Sequence, residues 1–301
     1  MPSPITDTPD LSHVRTLART ISVVENEIPP YQAILKKLRF HQKTPVIGIT
    51  GPPGAGKSTL LNALLQQIDL EEKRVAIIAV DPTSPFNYGA LLGDRIRLNA
   101  FYNHPNVYIR SVASRGSLGG LSDKIIEIVD VVRSADFDYI FLETVGVGQS
   151  EVEVAGLADT TVVVLVPEAG DEIQTMKAGL MEIADIFVVN KSDRADADRF
   201  VLNLKKLIHN RPMSSWHTPV LKTVATKMEG LESLLTQINN HHLTQVEKAK
   251  KPFLLTQKAF KLIQKRRMAD VDKQGLLRTI QEQYLQEDFN LYLLVEEFLG
   301  D

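Results

Sequence analysis

The sequence predicts an α/β protein built on a mostly parallel, doubly wound sheet, with helical extensions at both ends. Three observations carry that expectation. Seven short runs rich in Val and Ile recur between residues 44 and 225, and most are apolar without alternation, as strands buried on both faces are. Helix-patterned stretches separate them, with Ser, Asp or Gly near their starts, and such β-α alternation argues for parallel pairing. Outside this region the strand signal fades and only helical spacing remains.

Composition narrows the class. The chain has 301 residues, 44% of them hydrophobic and 24% charged, which is ordinary for a globular protein with a sizeable core. Its formal net charge of −3 supplies no basic field to attract nucleic acid. Cysteine is absent, so disulfides and thiolate metal sites are excluded. No apolar run reaches the ~18 residues that a membrane span needs. The start, MPSPITDTPDLSHV, lacks the apolar core of a secretory leader and the arginines of a transit peptide. A cytoplasmic protein without membrane or nucleic-acid partners is the expectation.

In order, residues 1–10 read as a disordered lead. Leu17, Ile21, Val24 and Ile28, then Ile34, Leu35 and Leu38, keep helical spacing that breaks at Pro29 and Pro30. Two helices are expected there, as an N-terminal arm over 1–43. The sheet domain follows over 44–243. Its strands are TPVIGIT (44–50), RVAIIAVD (74–81), VYIRSV (107–112), YIFLET (139–144), TVVVLVP (161–167), IFVVN (186–190) and PVLKTVA (219–225). Residues 244–301 read as a charged helical arm with an apolar stripe through Leu276, Leu277, Ile280, Tyr284, Leu285, Leu291, Leu293 and Leu294. Such an arm packs on its own domain or on a second copy. Its KAKK and KLIQKRR runs read as solvated faces, since no aromatic residues interleave them.

The first strand runs directly into Gly51-Pro52-Pro53-Gly54-Ala55-Gly56-Lys57-Ser58-Thr59 and then a leucine-rich helix. This is the phosphate-loop motif in its required strand-loop-helix context. The glycines let backbone N–H groups converge on phosphate oxygens, and the helix points its positive end at the same anion. Lys57 can reach the outer phosphates and Ser58 can offer its hydroxyl to Mg²⁺. The sheet is therefore expected to be that of a P-loop NTPase, with Mg²⁺ accompanying the nucleotide.

Further acids supply a metal side. Asp81 ends the second strand, where ligands bind in open α/β sheets, and its alternative role is to cap the following turn. Asp94, in ALLGDRIRL, is read equally as a helix-start acid. Glu143 ends YIFLET, matching the acid after an apolar strand that aids Mg²⁺ in P-loop NTPases. Gly146, shortly after, is placed to give its N–H to a γ-phosphate. Lys57, Asp94 and Glu143 are the expected catalytic set.

The base is read further on. In Asn190-Lys191-Ser192-Asp193, after IFVVN, the aspartate can accept hydrogen bonds from guanine N1–H and N2–H₂, a donor pair that adenine lacks. Asn190 would brace neighbouring loops, and the Lys191 stem can cover the ring face. Val224-Ala225-Thr226 lies where backbone closes a base pocket. GTP and GDP are thus favoured over adenine nucleotides.

The stretches VDPTSPFNYGALLGDRIRL, SVASRGSLGGLS, DYIFLETVGVGQSEVEVAGLADTTVVVLVPEAGDEIQTMKAGLMEIADIFVVNKSD and TVATKMEGL resemble the MeaB/ArgK family of P-loop GTPases, which includes the mitochondrial methylmalonic aciduria type A protein. The resemblance covers almost the entire chain and is most specific in its centre. It implies a homodimeric GTPase that chaperones an adenosylcobalamin-dependent acyl-CoA mutase, chiefly methylmalonyl-CoA mutase, gating cofactor delivery and protecting the mutase. It places Lys57 and Ser58 on phosphate and Mg²⁺, and Asp81, Asp94 and Glu143 on the acidic Mg²⁺ side. GDEIQTMK resembles the family's third switch, with Asp171, Gln174 and Lys177 signalling to the mutase. Gln149 is tempting as a water-positioning residue. Departures occur at Val224, where serine usually starts the closing segment, at Met228, where many relatives have glycine, and at Tyr88, a commonly small position.

Three other functions share this sheet. A nickel-insertion GTPase relies on His- or Cys-rich sites, whereas the seven histidines here are scattered apart from His241-His242, which reads as a solvated pair on a polar helix. A P-loop kinase linked to transport of basic amino acids would need an acceptor site that no motif supplies. A nucleotide-binding scaffold is disfavoured by the intact lysine and acids.

Overall fold

The computed structural model describes residues 6–39, 44–81, 98–113, 124–144, 156–169, 178–209, 216–244, 256–257, 259–264, 266–286 and 289–299. Seven strands form one sheet: β1 Val46–Thr50, β2 Val75–Asp81, β3 Val107–Ala113, β4 Tyr139–Thr144, β5 Thr160–Leu165, β6 Ile186–Val189 and β7 Val220–Lys222. Their order is β3-β2-β4-β1-β5-β6-β7, and every pairing is parallel. All seven expected runs are strands. Pro167 and Ala225, expected as strand residues, instead lie in single 3₁₀ turns, because proline has no N–H for the ladder and Ala225 already turns into the next helix.

Alternation along each strand assigns side chains to the two faces. Ile47, Ile49, Val75, Ile77, Phe141, Val162 and Val164 face helices α3 (Lys57–Gln67) and α7 (Leu231–Leu243). Val46, Ala76, Ile78, Val80, Ile140 and Leu142 face α1 (Val14–Glu25) and α4 (Ile125–Arg133). Farther along that second face, Val163, Leu165, Phe187 and Val189 pack against α6 (Ala197–His209). Leu60, Leu61, Leu64 and Leu65 of α3 are all fully buried, and each such side chain contributes roughly 1.5–3 kcal/mol.

This winding positions the site. The chain leaves β1 for α3 on one face, while Met181 of α5 (Ala178–Ile183), after the neighbouring β5, packs on the other. Adjacent strands that send their connections to opposite faces open a crevice at their carboxyl ends. Below it, Asp159 anchors the start of β1: its Oδ2 accepts from Val46 N at 3.0 Å and from Arg133 at 2.7 Å.

The N-terminal segment forms α1 and α2 (Tyr31–Lys37), separated by a cis Pro29–Pro30 peptide. Glu25 of α1 pairs with Arg110 of β3 at 2.6 Å, and Glu27 pairs with Lys124 beside α4. Part of the expected disordered lead is structured: Asp7 accepts from Lys37 at 2.7 Å, and Leu11, just after the lead, is buried. The chain folds as two compact units, Met1–Leu254 and Leu255–Asp301. The second unit holds α8 (Lys273–Gln283) and α9 (Leu291–Leu299). No described helix is long and apolar enough to cross a membrane.

Candidate nucleotide site

The loop between β1 and α3 requires glycine at two positions for different reasons. Gly51 has φ +140°, and a Cβ there would lie 2.1 Å from the Val164 carbonyl oxygen of β5. Gly56 caps α3 at φ +88°, and its Cβ would fall 2.5 Å from Asn190 Nδ2. Gly56 brings no capping side chain, and the first turn of α3 contains no acid. The helix therefore presents the positive end of its dipole with no carboxylate of its own first turn competing for it. Pro53, Gly54 and Thr59 are exposed at the rim, whereas Ala55 is buried.

Lys57 is buried, and its Nζ donates to Gly51 O at 2.8 Å and to Pro52 O at 3.1 Å. The ammonium is folded back over its own loop, where it can turn to an anion held by that loop. Ser58 is buried beside it and donates its hydroxyl to Glu143 Oε1 at 2.6 Å. The ends of β1 and β4 are further joined by Thr144, which donates to Thr50 Oγ1 at 3.1 Å.

From the other side come the base-loop residues. Asn190, nearly fully buried, donates Nδ2 to Ala55 O at 3.0 Å. Its Oδ1 accepts from Ala225 N and Thr223 Oγ1, each at 3.2 Å. Lys191, at φ +54°, donates Nζ to Gly54 O at 2.7 Å. Asp193 pairs with Lys227 at 2.9 Å, and this hydrogen bond holds its carboxyl below the ordinary carboxylate range. Arg194 reaches Glu168, in the turn after β5, at 2.6 Å. Val224 and Ala225 are buried and Thr226 is exposed. Met228 adopts φ +61°, the left-handed conformation that glycine takes without cost.

Three separated sequence motifs thus meet at one end of the sheet: residues 51–59, Glu143, and 190–193 with 223–227. Asp81 ends β2, and its side chain lies outside the described residues, as do Asp94, Gly146, Gln149, Asp171, Gln174 and Lys177. The sequence motifs assign no role to Thr144, Thr223, Lys227, Arg194 or Glu168. His241 corrects an expectation: it is buried, its Nδ1 lies 2.8 Å from Thr160 Oγ1, and its ring meets Trp216 edge-on at 4.8 Å. The polar helix α7 turns this residue inward, where Thr160 faces its Nδ1 and Asp185 Oδ1 lies 3.5 Å from its Nε2. Among the described residues no group of three or more His, Cys, Asp or Glu could hold a metal ion by itself.

Residues 17–275 match the family model described as Methylmalonyl Co-A mutase-associated GTPase MeaB. A Pyrococcus abyssi chain that bears a GTPase name is 49% identical over 232 residues, covering 75% of this chain and 72% of the relative. GTPase ArgK of Escherichia coli is 37% identical over 229 residues, covering 73% and 69%. Among solved structures, one titled LAO/AO transport system kinase aligns with a TM-score of 0.67 and 26% identity, covering 97% of this chain and 95% of that one.

Proposed function

Because the chain belongs to the MeaB family of P-loop GTPases, we propose that it is a GTP-hydrolysing switch serving an adenosylcobalamin-dependent acyl-CoA mutase of the methylmalonyl-CoA type. In this reading it gates cofactor loading and protects its client. The observation that carries the nucleotide part is the union of the phosphate loop with the base loop through Asn190–Ala55 and Lys191–Gly54. A guanine reader tied to a phosphate cradle at the carboxyl end of the sheet is the arrangement that binding GTP requires. The client follows from the family's description as mutase-associated.

Each residue then has a role. Backbone N–H groups of residues 51–56 and the start of α3 cradle the phosphates, and Lys57 leaves its carbonyl partners to bind outer phosphate oxygens. Asp193 reads guanine, Lys191 covers the ring, and Val224, Ala225 and Thr226 close the pocket. Water attacks the γ-phosphorus in line as the bond to the bridging oxygen breaks, releasing GDP and phosphate. Lys57 and the loop stabilise the charge that gathers on those oxygens.

The donor set fits Mg²⁺. Ser58 Oγ and Glu143 Oε1 are a buried, all-oxygen pair beside the phosphate loop, and Mg²⁺ is ordinarily held by one or two carboxylates, waters and the substrate's phosphates. Ser58, Glu143, Asp81 and Asp94 would hold it. When bound, it would neutralise negative charge on the nucleotide's phosphates. Gly146 and the segment with Asp171, Gln174 and Lys177 would sense the γ-phosphate and report it to the mutase, whose affinity must differ between the two nucleotide states.

Residues 244–301 would serve as the dimerisation arm. This is supported by Leu285, Leu291, Tyr292 and Leu293, which stay exposed in the second unit. Calorimetry against GDP and ADP tests the base assignment, with GDP far tighter as the expected result and equal affinities sinking it. Co-purification with the mutase, with and without a non-hydrolysable GTP analogue, tests the client. No complex in any nucleotide state would reopen the kinase reading, which the neighbouring structure's name raises, and the scaffold reading with it.

A further inference from the structure

We propose that Lys227 is a specificity-positioning residue: its ammonium aims the Asp193 carboxylate at the guanine edge. The inference rests on the guanine reading above and adds a residue outside the Asn190–Asp193 motif that reads the base. Asp193 is partly exposed, and an exposed aspartate would otherwise sample several rotamers. Lys227 Nζ lies 2.9 Å from its Oδ2.

The lysine is carried on a stiff platform. Lys227 N donates to Val224 O at 2.9 Å, and Val224 and Glu229 exchange backbone hydrogen bonds of 3.1 and 3.3 Å. Met228 is held at φ +61° and Gly230 at φ +77°, where a Cβ on Gly230 would meet Lys222 O at 2.2 Å. The same turn is stitched to the base loop: Ser192 N donates to Thr223 O at 3.1 Å, and Ala225 N to Asn190 Oδ1 at 3.2 Å. The backbones bearing Lys227 and Asp193 are therefore fixed relative to each other.

The pair leaves room for the base. An ionised carboxylate offers about four lone-pair sites. Guanine N1–H and N2–H₂ use one on each oxygen, so an outer site on Oδ2 stays available to the ammonium. As an exposed ion pair it adds little to fold stability. Its effect is to restrict the carboxylate before the base arrives, which removes part of the ordering cost of binding.

The test is calorimetry with GDP, IDP and ADP on the full chain and on K227M, K227R, D193A and D193A/K227M. Inosine nucleotides lack the 2-amino donor, so the GDP:IDP affinity ratio reports how well both carboxylate oxygens are aimed. K227M should weaken GDP about three- to tenfold, lower the GDP:IDP ratio and leave ADP unchanged, and K227R should restore most of the loss. In the D193A background K227M should add nothing. An unchanged ratio in K227M, or the same loss with and without Asp193, overturns the assignment. D193A that still prefers GDP over ADP removes the base reader itself, and the role of Lys227 with it.

Discussion

Asn190 and Ala55 are joined by a buried 3.0 Å hydrogen bond between loops 135 residues apart in the chain. The same amide accepts from Ala225 N and Thr223 Oγ1, so one side chain ties the phosphate loop to both segments of the base pocket. Asn190→Ala strands the buried Ala225 N–H and Ala55 carbonyl. A loss of about 1–3 kcal/mol is expected in urea denaturation, together with weaker GDP binding. Unchanged stability would show that the three loops hold their places without it.

The glycines of the phosphate loop should separate clash from strain. Gly51→Ala meets the Val164 carbonyl at 2.1 Å, whereas a Cβ on Gly54 enters open space at φ +76°. Gly54→Ala is expected to cost about 1 kcal/mol, from conformation alone. Gly51→Ala should cost at least about 2 kcal/mol, because backbone must also move. Equal midpoints in the two variants would contradict this geometry.

Lys57→Ala removes an ammonium that donates to two loop carbonyls. In single-turnover assays GTP hydrolysis should fall by roughly a hundredfold or more, the scale for losing one preorganised electrostatic group. Far-UV circular dichroism should be unchanged. Hydrolysis at the parent rate would remove Lys57 from the mechanism.

Tyr108 supplies a pH-dependent test away from the site. Burial pushes its hydroxyl up to about 12 from an ordinary value of 10.0, and among the described residues it has no hydrogen-bond partner. A raised pKa means the unfolded chain loses the proton first. This residue's contribution is thus intact below pH 10 and is lost as pH rises towards 12, by about 1.4 kcal/mol per unit. Tyr108→Phe should be neutral or slightly stabilising at pH 7 and should flatten the alkaline fall in denaturation midpoint. An alkaline fall identical to the parent's would locate that titration elsewhere.

Leu285→Glu combined with Tyr292→Glu places charges on the two most exposed apolar side chains among the described residues of the second unit, 80% and 82% accessible. Sedimentation should show a dimer for the parent and a monomer for the variant. A parent that sediments as a monomer would remove the dimerisation arm.

Much of this architecture is legible in the sequence because its causes are local. Continuous Val and Ile runs bounded by turns suit strands buried on both faces, and all seven appear in the sheet. The phosphate loop is legible for the same reason, since its glycines answer to backbone geometry within a few residues. Asn190 is legible as a brace, although not its choice of Ala55 over another carbonyl. His241 escapes such a reading because a polar helix pattern is silent about a single inward residue; its polar neighbours, Thr160 and Asp185, lie far away in the chain.

The sequence by itself thus determined the strands, the phosphate cradle and the base-reading motif, each encoded in a short window by periodicity, glycine freedom or donor-acceptor chemistry. Tertiary structure alone decided that β1 lies between β4 and β5, which puts Ser58 against Glu143 and Asn190 against Ala55. It also decided that Lys227 meets Asp193. These pairings depend on which strands become neighbours and which face each crossover takes, and that is settled by packing of the whole core rather than by any local signal.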